Sequence, residues 1–242
     1  MVFGHLALVT GAGSGIGRAV CRLLSKQGAT IVAADRKLSD AEETINQLKS
    51  KDGIALPVDV SRSISVIQLL DETVTKFKRP PTIVVNSAGI YRDAYIMKMS
   101  EPDFDVVIDV NLKGTFLIMQ YFGRAMADYR LQGSIINISS IVTRTGNIGQ
   151  SNYAASKAGV EALTRVGAKE FAKFNIRCNV VIPGFIETKL IENAPNSAKD
   201  LYLKNCAMKR FGTPEEVAEV ISFLLTDKAS YINGASIEVN GG

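Results

Sequence analysis

The stretch LALVT at 6–10, running into GAGSGIG at 11–17, decides the fold. An apolar run ending on Val9 and Thr10 reads as a strand, the glycines permit a tight turn, and residues 15–27 carry apolar positions at helical period. Strand, bare turn and helix in that order aim free N–H groups and the positive end of a helix dipole at one point. A pyrophosphate fits there. Gly11, Ser14, Gly15, Ile16 and Gly17 are therefore candidate contacts to a dinucleotide, although a glycine cluster by itself could equally be a plain tight turn. The second strand, TIVAAD at 30–35, supports the dinucleotide. It ends on Asp35, where an acid accepts the ribose hydroxyls of NAD. Arg36 follows directly and could instead receive the 2′-phosphate of NADP. A carboxylate repels that phosphate, so NAD is the expected cofactor and NADP the weaker alternative.

Outward from this unit the alternation repeats: a helical stretch at 40–50, IALPVDV at 54–60, a helix at 63–77, TIVVNSAG at 82–89 and paired helical stretches across 100–128. SIINISS (134–140), a long helix at 152–173, IRCNVVIPG (176–184), a helix from the capping box Thr213-Pro214-Glu215-Glu216 to about 226, and SIEVNGG complete the chain. The pattern predicts a single-domain α/β Rossmann fold over 1–242, a doubly wound parallel sheet of about seven strands with helices on both faces. Asp59 and Val60, and Asn86, Ala88 and Gly89, fall at strand ends on the carboxyl edge, where such sheets bind ligands. Residues 187–212 resist assignment, and their mixed polarity around Pro195 predicts a flap beside a site.

With 46% hydrophobic and 21% charged residues, net charge +4 and no block of like charges, the composition suits a soluble protein that handles anionic small molecules. It gives no case for nucleic acid or membrane. Cys21, Cys178 and Cys206 are scattered and lack metal-ligand spacing, and His5 is the only histidine, so no metal and no histidine triad are expected. The opening MVFGHLALVTG leaves no room for a signal peptide, which points to an intracellular protein.

Several motifs in order now resemble the short-chain dehydrogenase/reductase family from residue 5 onward. TGAGSGIG is similar to its glycine motif and NSAG to its N-N-A-G turn, with Ser87 at the second Asn. Asn111 in VNLKGTF, Ser140 in INISS, and Tyr153 with Lys157 in SNYAASKAG fall on its catalytic tetrad. PGFIET adds Pro183, Gly184, Ile186 and Thr188 to the implied cofactor contacts. Within the family, VNLKGTF, GSIINISSIV, GQSNYAASKAGV and PGFIET are similar to the 3-oxoacyl-[acyl-carrier-protein] reductases, and closer still to a related estradiol 17-beta-dehydrogenase branch.

The resemblance implies an oxidoreductase of secondary alcohols and ketones. Candidate substrates are 3-hydroxyacyl/3-oxoacyl thioesters on coenzyme A or acyl carrier protein, with 17-beta-hydroxysteroids secondary. Alternatives are a sugar, polyol or xenobiotic carbonyl enzyme, or a cofactor-binding subunit of a hetero-oligomeric reductase. It also implies a homotetramer, or a heterotetramer with a related subunit, in the mitochondrial matrix or the cytoplasm. Tyr153 would shuttle the proton, Ser140 hold the substrate oxygen, Asn111 seat a water leading from Lys157 to solvent, and Lys157 hold the nicotinamide ribose. A free tyrosine has pKa about 10. An ammonium one helical turn away is expected to lower it, and two pH units would take about 2.7 kcal/mol.

Overall fold

The computed structural model describes residues 2–48, 53–188 and 196–242. Among them seven strands form one parallel sheet: β1 (Leu6–Thr10), β2 (Thr30–Asp35), β3 (Ile54–Pro57), β4 (Ile83–Asn86), β5 (Gly133–Ile138), β6 (Ile176–Pro183) and β7 (Ser236–Val239). Their order is β3-β2-β1-β4-β5-β6-β7, and the winding reverses between β1 and β4. A crevice opens at that reversal, at the carboxyl ends of the strands.

Strand residues alternate between two cores because successive side chains leave opposite faces. Ala7, Val9, Ile31, Ala33 and Val85 pack against α1 (Gly15–Lys26), α2 (Leu38–Asn46) and α9 (Pro214–Leu225). Leu6, Leu8, Val32, Val84 and Ile135 meet α3 (Ser63–Phe77), α5 (Gly114–Asp128) and α7 (Ser151–Phe171). Phe122 of α5 is fully buried there. Truncating such a side chain to alanine costs about 3–5 kcal/mol. Between them lie α4 (Glu101–Ile108), the short α6 (Val142–Thr145) and α8 (Asn196–Asn205).

Two local features differ from the sequence expectation. Pro57 withholds a ladder donor and ends the edge strand β3, so Asp59 and Val60 sit in the turn beyond it. The 100–128 stretch is one helical rod in which α4 passes into α5 through a π-helical turn, Asp109–Lys113. The apolar residues of this rod and of α7 divide: Val107, Leu117 and, on α7, Val160 are core, whereas Phe104, Phe116 and, on α7, Val166 are 38%, 41% and 52% exposed. The capping box at Thr213 forms as spelt, with Thr213 Oγ1 accepting from the Glu216 N–H and Glu216 Oε2 from the Thr213 N–H.

The 187–212 excursion leaves and rejoins the body at a closed neck. Ile186 bridges Gly212, the Glu187 N–H donates to Gly212 O at 2.9 Å, and the Gly212 N–H donates to Phe185 O at 3.0 Å. Phe185 stacks on Tyr202 of α8 with centroids 4.3 Å apart, and Phe211 closes the cluster. The expected flap residues Lys189, Leu190, Ile191 and Pro195 lie outside the described residues.

Candidate active site

A cleft of about 450 Å³ runs along the carboxyl edge at the β1/β4 reversal. Its floor is the glycine turn. Gly11 has φ +65°, and a Cβ there would come within 2.7 Å of the Ala88 N–H nitrogen, so the β1 and β4 turns pack with no room for a side chain. Gly15 has φ +50° and faces Thr188, whose methyl carbon would lie 3.1 Å from an added Cβ. Asp35 spans turn and strand: Oδ2 accepts from the Gly13 N–H at 2.9 Å and Oδ1 from the Lys37 N–H at 3.1 Å. Each oxygen keeps a free lone-pair direction. Arg18 clamps the turn from outside, donating to Gly13 O and to both Glu43 carboxylate oxygens, each of these at 3.0 Å.

At the other end Tyr153 and Lys157 project from one face of α7. Lys157 is buried, its Nζ donates to Ile138 O at 2.9 Å, and it lies 5.7 Å from the Tyr153 ring centroid. Tyr153 is half-buried, and the Ser140 hydroxyl is near enough to act on its phenol. Burial pushes the Tyr153 hydroxyl up to about 12; the Ser140 hydroxyl pulls it back and the nearby Asp93 carboxylate pushes it further. Burial also draws the Lys157 ammonium down to about 8. This corrects the expectation of a lowered tyrosine: in the protein alone desolvation outweighs the neighbouring cation.

The π-helical turn aims Asn111 inward, fully buried. Its Nδ2 donates to Ile90 O (2.9 Å) and to Ser156 Oγ (3.1 Å), while its Oδ1 accepts from the Ile90 N–H (2.9 Å). The amide thus braces the loop after β4, with both N–H donors used and one Oδ1 lone pair left. Gly89 lies beside it, where a Cβ would stand 3.4 Å from both Asn111 Oδ1 and Lys157 Nζ.

Comparison with known proteins places this geometry. A family model described as enoyl-(acyl carrier protein) reductase matches residues 11–242. The chain is 48% identical to the human (3R)-3-hydroxyacyl-CoA dehydrogenase, over 98% of this chain and 94% of that one. It is 43% identical to the 3-oxoacyl-[acyl-carrier-protein] reductase of Thermotoga maritima, over 99% and 97%. The chain belongs to the short-chain dehydrogenase/reductase family. A solved structure titled ribose-5-phosphate isomerase, from Brucella melitensis, superposes with a TM-score of 0.92 at 34% identity, covering 99% of this chain and 92% of that one.

This short-chain dehydrogenase/reductase lines its cleft with Gly11, Ser14, Gly15, Ile16, Asp35, Arg36, Asp59, Val60, Ala88, Gly89, Tyr153, Lys157 and Thr188. Other residues expected at the cofactor stand back from it. Gly17 packs beneath the turn, where a Cβ would strike the Gly11 carbonyl. Asn86 is an internal strut donating to Asn137 Oδ1 at 2.8 Å. Pro183 and Gly184 are tied into the sheet edge through Ile141 and Val239, and Ile186 turns to a small cavity with Tyr202 and Met208. Val58, Ile90 and Tyr91 also line the cleft from outside the motifs, and Ser87, Val110 and Ile138 line it from inside motifs that had not marked them as contacts.

Two further surfaces were not legible in the sequence. Asp93 is bonded to Gln150, and the Ala94 N–H donates to Gly149 O, joining the loops before α4 and α7. These loops expose Tyr95 (65%), Ile96 (77%), Met97 (94%) and Ile148 (79%). On the flap, Arg210 is committed to Glu216 through two bonds of 2.9 and 2.6 Å and holds that carboxyl down at about 2, so it is not a free cation for substrate. Among the described residues no cluster of His, Cys, Asp or Glu could hold a metal, and no helix is long and apolar enough to cross a membrane.

Proposed function

We propose that this chain interconverts 3-hydroxyacyl and 3-oxoacyl thioesters, carried on coenzyme A or acyl carrier protein, with NAD as cofactor. The carrying observation is that Tyr153 and Lys157 line one end of a dinucleotide-sized cleft, with Ser140 beside Tyr153. Two relatives named for such thioesters, matched over nearly their whole length, supply the substrate class. The exposed apolar residues Tyr95, Ile96, Met97 and Ile148, on loops leading into α4 and α7, suit an acyl chain. A 17-beta-hydroxysteroid is the secondary substrate, since an apolar surface accepts a sterol too.

The residues present fit a nicotinamide dinucleotide. Gly11, Ser14, Gly15 and Ile16 would take the pyrophosphate, Asp35 the ribose hydroxyls, Asp59 and Val60 the adenine, and Ala88, Gly89 and Thr188 the remainder. When bound, that group supplies or accepts a hydride. Everything else falls to the chain. Ser140 holds the substrate oxygen as charge develops on it, and Tyr153 delivers its phenolic proton to that oxygen in reduction. With a pKa of about 12, Tyr153 is fully protonated near neutral pH, the form that reduction needs. Oxidation needs the phenolate, so its rate should climb with pH. Lys157, largely cationic below its pKa of about 8, favours the phenolate and holds the ribose. Asn111 braces the loop beside both, and its remaining acceptor capacity leaves room for the water that would lead from Lys157 to solvent.

The half-exposed Phe104, Phe116 and Val166 suit a homotetramer, or a heterotetramer with a related subunit. The mitochondrial matrix is the proposed compartment, with the cytoplasm as alternative. A turnover panel with NADH and NADPH against 3-oxoacyl thioesters, a ketosteroid and a sugar carbonyl tests the reading. Thioester turnover well above the others is expected; turnover of the ketosteroid or sugar alone would overturn it.

A further inference from the structure

Glu161 lies one helical turn beyond Lys157 on α7, and its side chain is only 4% exposed. Its Oε1 accepts from Ser139 Oγ at 2.9 Å, Thr143 Oγ1 at 2.7 Å and Arg144 Nη1 at 3.2 Å, and its Oε2 accepts from Arg144 Nη2 at 2.6 Å. Ser139 Oγ also stands 3.1 Å from the carbonyl oxygen of Lys157. Arg144 reaches on to Glu238 of β7, with Nε 3.4 Å from Oε1. All the donors to Glu161 come from one short segment, 139–144, and that segment carries Ser140. The acceptor sits on the helix that carries Tyr153 and Lys157.

A carboxylate buried this deeply is costly unless its oxygens are satisfied. Here they are. Burial alone would raise the Glu161 pKa, but hydrogen bonds from Arg144, Thr143 and Ser139 outweigh it and hold the group below the ordinary carboxylate range. The anion therefore persists at neutral pH as a fixed tie between the 139–144 segment and α7, alongside the bond from Lys157 Nζ to Ile138 O.

We propose that Glu161 is a positioning residue: by anchoring Ser139, Thr143 and Arg144 to α7, it sets the Ser140 hydroxyl against the Tyr153 hydroxyl. It touches neither substrate nor cofactor. Its effect is on geometry at the reacting oxygen, where a displacement near 1 Å costs on the order of a hundredfold in rate. The dinucleotide rests on the β1 turn and Asp35, and on Lys157 at its ribose; Lys157 Nζ is fixed by its own bond to Ile138 O and not by Glu161. The inference rests on the roles proposed above for Ser140 and Tyr153.

The test compares wild type, Glu161→Leu and Glu161→Gln for kcat and KM with a 3-oxoacyl-CoA, NADH affinity by fluorescence titration, and the pH dependence of kcat in oxidation. Glu161→Leu should lose at least about tenfold in kcat, with KM and NADH affinity within about threefold of wild type. Its oxidation profile should move to higher pH, because the Ser140 hydroxyl that pulls the Tyr153 pKa down is displaced. Glu161→Gln, which can still accept from both hydroxyls, should lose less, about threefold, with a smaller shift of the same sign. Wild-type kcat and pH profile in Glu161→Leu, or a kcat loss matched by an equal loss of NADH affinity, overturns the proposal. Should the Leu variant not fold, the Gln variant decides on the same two criteria. If wild type itself turns over no thioester, the substrate reading fails instead, and the same comparison on whichever carbonyl wild type accepts still decides the role of Glu161.

Discussion

Replacing Lys157 by methionine should make the cofactor-free protein more stable near neutral pH while abolishing its catalysis. Burial lowers the Lys157 pKa from 10.5 to about 8, which at about 1.4 kcal/mol per pH unit is a penalty of about 3 kcal/mol on the charged folded form. The sign follows from linkage. A group with a depressed folded pKa contributes its stability in full above its unfolded value, 10.5, and loses it as pH falls through the folded value, about 8. Near neutral pH the lysine therefore destabilises the fold, and a methionine of similar length removes that penalty. Against this stands the bond from Nζ to Ile138 O, whose loss costs about 1.5–2 kcal/mol while the donor is charged. The net gain near neutral pH is about 1–2 kcal/mol, or roughly 2–8 °C in Tm for a chain of this length. Above about pH 10.5 the lysine is neutral in both states and only the lost bond remains, so the variant should there be less stable by about 1 kcal/mol. Thermal and urea unfolding of both proteins across this pH range measures the crossover. Equal stability offsets at both ends of the range, or a loss near neutrality, would refute the account of Lys157 as a buried cation retained for function.

Wild type should prefer NAD over NADP by more than about tenfold, and Asp35→Ser, which leaves Arg36 to meet a 2′-phosphate, should move the ratio towards NADP in competitive binding. Gly11→Ala combines a φ of +65° with a Cβ 2.7 Å from the Ala88 nitrogen, so it should lower stability by about 2 kcal/mol and weaken cofactor binding at least about tenfold; normal cofactor affinity in that variant would mean the turn is not the cradle. Light scattering should report a tetramer at micromolar concentration, and a stable monomer would leave the exposed Phe104, Phe116 and Val166 without their proposed role.

The sheet was legible because its signals are local. Each strand, turn and helix from Leu6 to Asp35 announces itself in period and punctuation, and Thr213 to Glu216 spells its own cap. Tyr153 and Lys157 were legible as a pair for the same reason, being one turn apart on α7. Their electrostatics were not. The sign of the Tyr153 shift depends on how deeply α7 sits and on Asp93, which arrives from another loop. The π-helical turn at Asn111 has no sequence period of its own, so its role in bracing Ile90 emerges only in three dimensions. The pairing of Arg210 with Glu216, and of Arg144 with Glu161, removes charges that composition counts as available. Asn86 looked like a cofactor contact from its place at a strand end, yet its side chain turns inward to Asn137.

The central claim is that Tyr153 moves the proton during oxidoreduction of a 3-oxoacyl thioester. Its most direct test is kcat/KM for a 3-oxoacyl-CoA with NADH, measured in parallel on wild type and Tyr153→Phe, with NADH affinity determined for both. The account predicts at least about 10⁴ M⁻¹s⁻¹ for wild type and a loss of at least about a hundredfold in the variant, with NADH bound equally well. No turnover by wild type, or near-equal turnover by both, would contradict it.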